Sequence, residues 1–367
     1  SAAAPVVAGI AGVLTSRFPG TFRGHPLLLA EHIRRSSERI PAHTGRTITG
    51  ARADLQQGLD TTSFPLPTFA AYLDESRRLN DLAMLNTHDV DFIDADGDRH
   101  IEYLLEVFGG PFEDQADPRL YRFDPLIGEF FDETSTRILS SVRGNYNKSA
   151  IGDVTADGCA DIVFAGFLQA DPDPAVGLRG EPNRLLVQRR DATGVCLGTW
   201  VDDAGFPGRD DITRDVDLLD FDGDHDLDIF FTNAVYPLPG GDLGDQLLRN
   251  DDPTGGGTGF PRFTDVSADK LPPSSFDPHK TTGLGCDVNV DGFADLVIAV
   301  NDDRNRLLMN REDPADPPSG RRFVDETSTS DFPTGTGFSH YVECHDFTGD
   351  TLPDIIIARR SELKNLF

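Results

Sequence analysis

Asp217 to Asn233 reads DLLDFDGDHDLDIFFTN, six carboxylates within twelve residues followed at once by an apolar run. Carboxylates this close repel one another, and a solvated acidic segment would not end in Ile229-Phe230-Phe231. The pattern implies a cation held among them. With Asp220 as position 1, carboxylates stand at 3 (Asp222), 5 (Asp224) and 9 (Asp228), and Gly223 at 4 permits positive φ. Alternate side chains of a tight loop converge on one point, and such hard oxygen ligands suit Ca2+, which takes about six to eight of them in flexible geometry. An EF-hand opens in the same way but needs a bidentate Glu at position 12 and flanking helices. Position 12 here is Phe231 and the flank is β-branched and aromatic, so the stretch predicts strand, calcium loop, strand.

Four more copies follow the same rule: DADGDRHIE from Asp94, DVTADGCAD from Asp153, DVNVDGFAD from Asp287 and DFTGDTLPD from Asp346. The expected ligands are Asp94, Asp96, Asp98 and Glu102; Asp153, Thr155, Asp157 and Asp161; Asp220, Asp222, Asp224 and Asp228. The remaining two sets are Asp287, Asn289, Asp291 and Asp295, and Asp346, Thr348, Asp350 and Asp354. Thr155, Asn289 and Thr348 replace an acid with a neutral oxygen, and the lower charge should weaken those sites. Successive loops start 59, 67, 67 and 59 residues apart, the period of an internal repeat.

Each unit carries further elements. An aromatic-x-acid stretch stands about 20 to 24 residues before each loop: YLDES from Tyr72, FFDET from Phe130, WVDDA from Trp200, FTDVS from Phe263 and FVDET from Phe323. A short strand follows each loop: PRLYRF from Pro118, NRLLVQ from Asn183, DQLLRN from Asp245 and NRLLMN from Asn305, with SELKNLF from Ser361 as a fifth copy. The unit reads as four strands separated by Gly/Pro/Asp turns. The strand directly after the loop, as in DLVIAV (Asp295–Val300), is apolar on both faces and calls for a neighbour on each side. Radially repeated four-stranded sheets form a β-propeller; the rungs of a linear β-solenoid, the rival, are shorter than these units.

The combination NRLL, FxDxT and DxDxDGxxD resembles the FG-GAP/VCBS repeat family, the calcium-loop propellers of integrin α heads and many exported bacterial proteins. The resemblance covers residues 66–367. It implies an all-β propeller of four-stranded blades, six to eight in the complete ring, and up to five Ca2+. It also implies a backbone carbonyl ligand at position 7 from His100, Cys159, Asp226, Phe293 and Leu352. Two ring closures are open. Either five blades close with residues 68–76 beside 361–367, or residues 6–14 and 25–32 are degenerate strands of a further blade and more chain follows Phe367. The second is favoured.

Residues 1–65 form an N-terminal extension in which HPLLLAEHIRRSSERI (His25–Ile40) reads as a short amphipathic helix, either a cap on the propeller or a docking element. The opening SAAAPVVAGIAGVL is the end left by signal-peptide removal or a strand. No apolar run is long enough for a membrane span.

The formal charge is −29, and five Ca2+ would bring it to −19, a field that repels phosphate backbones and argues against nucleic acid. Weak calcium sites fill best where calcium is abundant, which places the chain outside the cytoplasm: extracellular, at a cell surface or in a periplasm. Four cysteines allow two disulfides. Cys286 and Cys344 precede the fourth and fifth loops, but their one-residue offset points them to opposite faces, so free thiols remain an alternative. Cys159 and Cys196 make the other pair.

No HExxH, nucleophile elbow or phosphate-binding Gly-rich loop is present, and a fivefold repeat of acids points to metal rather than to a glycosidase pair. One Trp and six Tyr leave little platform for stacking sugars. The expected function is a non-enzymatic binding or structural module for a protein partner or extracellular assembly, with glycan a secondary ligand. The alternative is the propeller of an exported enzyme with a site in the axial channel or the N-terminal region.

Overall fold

The computed structural model describes residues 86–95, 102–108, 118–124, 129–140, 142–170, 178–234, 244–257, 259–273, 279–316, 320–330, 332 and 336–359, with two short pairs at 38–39 and 51–52. The chain divides into two compact units, Ser1–Arg77 and Arg78–Phe367. In the first, Glu38–Arg39 pairs antiparallel with Ala51–Arg52. Glu38 and Arg39, within the helix expected at His25–Ile40, are therefore extended chain, and the rest of that segment lies outside the described residues. So do the YLDES and SELKNLF elements and both ring-closure segments.

The second unit repeats one antiparallel meander. The first sheet runs Asn86–Ile93, Glu102–Phe108, Arg119–Asp124, Glu129–Asp132. The second runs Tyr146–Gly152, Asp161–Gly166, Arg184–Arg190, Cys196–Asp202. The third runs Thr213–Leu219, Asp228–Asn233, Gln246–Asp252, Arg262–Asp265. The fourth runs Lys280–Cys286, Asp295–Arg304, Arg306–Glu312, Arg321–Asp325. A hairpin of Thr336–His345 and Asp354–Arg359 opens a fifth. In each, the expected calcium loop joins the first strand to the second.

The recurring motifs close these meanders. Asn183, Asp245 and Asn305, the first residues of the NRLL-type strands, accept the backbone N–H of Gly166, Asn233 and Val300 and so seal the turn between second and third strands. In the FxDxT elements the hydroxyls of Thr134, Ser267 and Thr327 accept the N–H of Leu120, Leu247 and Leu307. The Asp two residues earlier accepts the N–H of that same Thr or Ser. Side chains thus satisfy backbone donors where the ladder ends.

Burial explains why the second strands are apolar on both faces. In Asp161–Gly166, Ile162 and Phe164 pack with Leu104 and Leu120 of the first sheet, whereas Val163 and Ala165 pack with Ile229 and Phe231 of the third. Phe230 then turns toward Leu296 and Ile298 of the fourth sheet, and Val297 toward Val342 and Ile357 of the fifth. The sheets stack face to face in chain order, and alternate residues of each central strand serve opposite neighbours.

The stack curves. Lys148 Nζ, in the first strand of the second sheet, lies 3.5 Å from Asp89 of the first sheet and 3.8 Å from Asp215 of the third. It also donates to Tyr341 Oη of the fifth sheet at 3.4 Å. Face-packed sheets are about 10 Å apart, so sheets two and five of a straight stack would stand roughly 30 Å from one another. Only converging first strands bring Lys148 to Tyr341.

Three features depart from the repeat. The fourth and fifth sheets share hydrogen bonds, because Asn301–Arg304 continues past its own partner to pair with Thr336–Phe338. A three-stranded accessory sheet of Leu168–Ala170, Leu178–Pro182 and Asp210–Asp211 bridges the second and third units. Both cysteine pairs are bonded, Cys159–Cys196 and Cys286–Cys344, with Cα atoms 5.6 and 6.2 Å apart. The second bond corrects the argument from the one-residue offset. Consecutive sheets meet face to face, so residues on opposite faces of successive first strands are the ones that look at each other.

Candidate calcium loops

The glycine at position 4 or 6 has a conformational cause. Both positions are left-handed in each of four loops: Ala156 and Gly158, Gly223 and His225, Val290 and Gly292, Gly349 and Thr351. One of each pair is glycine, which takes positive φ without cost, and the other residue bears the strain. Val290, β-branched with φ 58°, is the least suited to it. Val290→Gly is expected to stabilise the chain by about 1 kcal/mol, measured by chemical denaturation; an unchanged or lower midpoint would mean that this loop carries no such strain.

Position 1 organises each loop through backbone donors. Asp153 accepts the N–H groups of Asp157 and Gly158, Asp220 those of Gly223 and His225, and Asp287 those of Asp291 and Gly292. Asp346 accepts from Gly349, Asp350 and Thr351, and these donors, the Thr351 N–H foremost, hold its carboxyl below the usual range.

Position 9 has a role that sequence reasoning missed. Asp161, Asp228 and Asp295 are fully buried, and each accepts from the position 2 N–H of its own loop (Val154, Phe221, Val288) with one oxygen. The other oxygen accepts a third-strand N–H, from Gln188, Asn250 and Asn310 at 2.8, 2.8 and 2.7 Å. Glu102 holds Ala95 N–H and Asp354 holds Phe347 N–H in the same way. Burial pushes Asp228 up to about 8, Asp161 to about 7 and Asp295 to about 6, despite these donors.

The third loop gathers its ligands most closely. Asp220, Asp222 and Asp224 each bring a carboxylate oxygen within 4.8 Å of the others, the one such acidic group among the described residues. Asp222 Oδ1 is buried and accepts no hydrogen bond. Desolvation raises the Asp222 carboxyl, with Asp224 next in effect, and Asp226 is pushed up to about 7 by burial and then by Asp224. A donor set made only of hard oxygens, with one buried carboxylate oxygen unsatisfied, fits a hard divalent cation.

The other loops bring fewer charges together. In the second, Arg190 Nε stands 2.9 Å from Asp157 Oδ2, and Thr155 Oγ1 donates to Asp161. In the fourth, Asn289 donates to Asp291 Oδ2 and Arg311 lies 4.0 Å from that oxygen. In the fifth, Thr348 N–H joins Phe347 N–H on Asp354, while Asp350 accepts Leu352 N–H. Asp94 is exposed at the start of the first loop, and Asp96, Asp98 and His100 lie outside the described residues.

Elsewhere, Lys148 sits on a converging first strand beside Asp89, Asp215 and Tyr341. Burial alone would lower its ammonium, but Asp215, Asp89 and Tyr341 together hold it above the ordinary lysine range. It is a fixed positive charge rather than a base or nucleophile. Trp200, fully buried, spends its indole N–H on the Ala160 carbonyl and offers no stacking face. No helix among the described residues is long and apolar enough to cross a membrane. Comparison of the chain with models of known protein families, and with curated proteins, finds no match to either.

Proposed function

We propose that the chain is the arc of a calcium-stabilised β-propeller acting outside the cytoplasm as a non-enzymatic module that binds a protein partner. The convergence of Asp220, Asp222 and Asp224, in a loop whose sequence pattern occurs five times, carries this reading. The face-to-face, curved stack supports a ring in which each blade is clamped at one end by a calcium loop. Two disulfides suit an oxidising compartment. The buried Trp200 favours protein over glycan as ligand.

When bound, calcium would supply neutralising charge and fix the loop backbone, held by Asp220, Asp222, Asp224 and their counterparts. The sites should fill in an order set by charge and by competing cations. Asp220 leads, with four acids at positions 1, 3, 5 and 9, joined on charge count by Asp94. The Asp153 loop trails, since Arg190 already occupies Asp157. Calcium titration with anomalous scattering checks this; equal occupancy at limiting calcium would show that backbone rigidity outweighs charge. Failure of any calcium to bind at millimolar concentration would remove the reading altogether.

A further inference from the structure

The third strands of the second, third and fourth sheets each reach two calcium loops at once. Asn250 gives its backbone N–H to Asp228 of its own loop and donates through Nδ2 to the Val154 carbonyl of the preceding loop at 2.9 Å. Asn310 does the same one unit on, bonding Asp295 with its N–H and the Phe221 carbonyl with Nδ2 at 2.8 Å. Gln188 repeats it one unit earlier, with its N–H on Asp161 and Nε2 on the Ala95 carbonyl at 2.8 Å. Ala95, Val154 and Phe221 all occupy position 2 of their loops. All three amide residues are buried, with 3 % exposure or less.

Position 2 is the place where a displacement would be felt. Its carbonyl belongs to the same rigid peptide plane as the N–H of position 3, the residue expected to ligate the cation. Its own N–H is tied to the position 9 carboxylate. The third and fourth loops have a second contact: the Phe293 ring packs so closely on Gly223 (φ 85°) that a Cβ there would meet it at 2.6 Å, and Arg321 stacks 3.6 Å from that ring. Arg321 also donates to Asn310 Oδ1 and to its carbonyl.

We propose that the calcium loops are wired in series through Gln188, Asn250 and Asn310, so that ordering one loop orders its neighbours and a cation in one raises the affinity of the next. This rests on the calcium reading for the identity of the ligand but not for the coupling itself. A buried amide left without its acceptor is costly, so each amide favours the state in which both loops are formed. Coupling of this kind is reciprocal. The effect of one link should be about fivefold, the size of one net buried hydrogen bond.

Hydrogen exchange on the full chain tests it, in calcium and in chelator, for the parent, Asp224→Ala, Asn250→Leu and the double variant. Asp224→Ala disturbs the third loop with or without a cation, because Asp224 Oδ1 holds the Asp226 N–H. The expected result is about fivefold faster exchange at the Val154 and Thr155 amides, one loop away, and loss of that response when Asn250 is Leu. If the third loop responds and Val154 and Thr155 do not, or if they respond equally without Asn250, the coupling is overturned. Should Asn250→Leu fail to fold, Asn310→Leu reads the same link between the third and fourth loops. If chelator changes exchange in neither loop, the calcium reading falls, and the Asp224→Ala comparison still decides the coupling.

Discussion

Chelating calcium from the full chain is expected to lower its melting temperature by roughly 10 °C for each well-filled site lost. The cause is repulsion among Asp220, Asp222 and Asp224, whose carboxylate oxygens lie within 4.8 Å of one another. Two like charges at about 4 Å repel by ~1 kcal/mol in bulk water and ~4 kcal/mol at the effective dielectric of a protein surface. An ion at about 100 times its dissociation constant contributes ~2.7 kcal/mol per site, and each kcal/mol moves a domain of this size by roughly 2–4 °C. Asp220→Ala or Asp224→Ala reproduces part of the loss in calcium and leaves less for the chelator to remove. Scanning calorimetry with and without excess chelator reads both. Identical melting in the two would count decisively against calcium as the clamp.

Lys280→Met costs about 3–5 kcal/mol at pH 7.5, because it strands a carboxylate in the interior. Lys280 and Asp245 are fully buried, with Nζ 3.2 Å from Oδ1, and they join the third and fourth sheets. Asp245 also caps Asn233, a place taken in the neighbouring sheets by the neutral Asn183 and Asn305. Asp245→Asn with Lys280→Met should therefore recover most of the loss.

The pH dependence has a definite sign. Burial pushes the Asp245 carboxyl up to about 6, although Lys280 pulls it down. Its unfolded value is about 3.9, so its contribution is fullest below pH 4 and is lost as pH rises through 6. Without Lys280 the carboxyl rises further, and the cost of Lys280→Met is greatest above neutrality and smaller at pH 5. Urea denaturation across that range decides: a cost flat with pH, or absent, would show that the pair is not coupled to folding.

The sequence by itself determined the local half of this protein. The i, i+2 spacing of the loop acids, the glycine at position 4 or 6, the NRLL turn seal and the FxDxT hydroxyl all act over a few residues, where chain geometry alone dictates who can meet. The two-sided apolar strands went further and announced a sheet covered on both faces, which the alternation of Ile162 and Phe164 against Val163 and Ala165 fulfils.

Tertiary structure decided everything that depends on which face meets which. The Cys286–Cys344 bond, Lys148 among three sheets and the amides of Gln188, Asn250 and Asn310 on a preceding loop all join residues of different sheets. The amides did leave a trace, since each ends an NRLL-type stretch (NRLLVQ, DQLLRN, NRLLMN), but nothing in the chain names their acceptors. The accessory sheet arose in the least repetitive connection, where no register recurs. Spacing along a strand is set by covalent geometry, whereas partners across sheets follow from stacking and curvature, which exist only once the whole arc has packed.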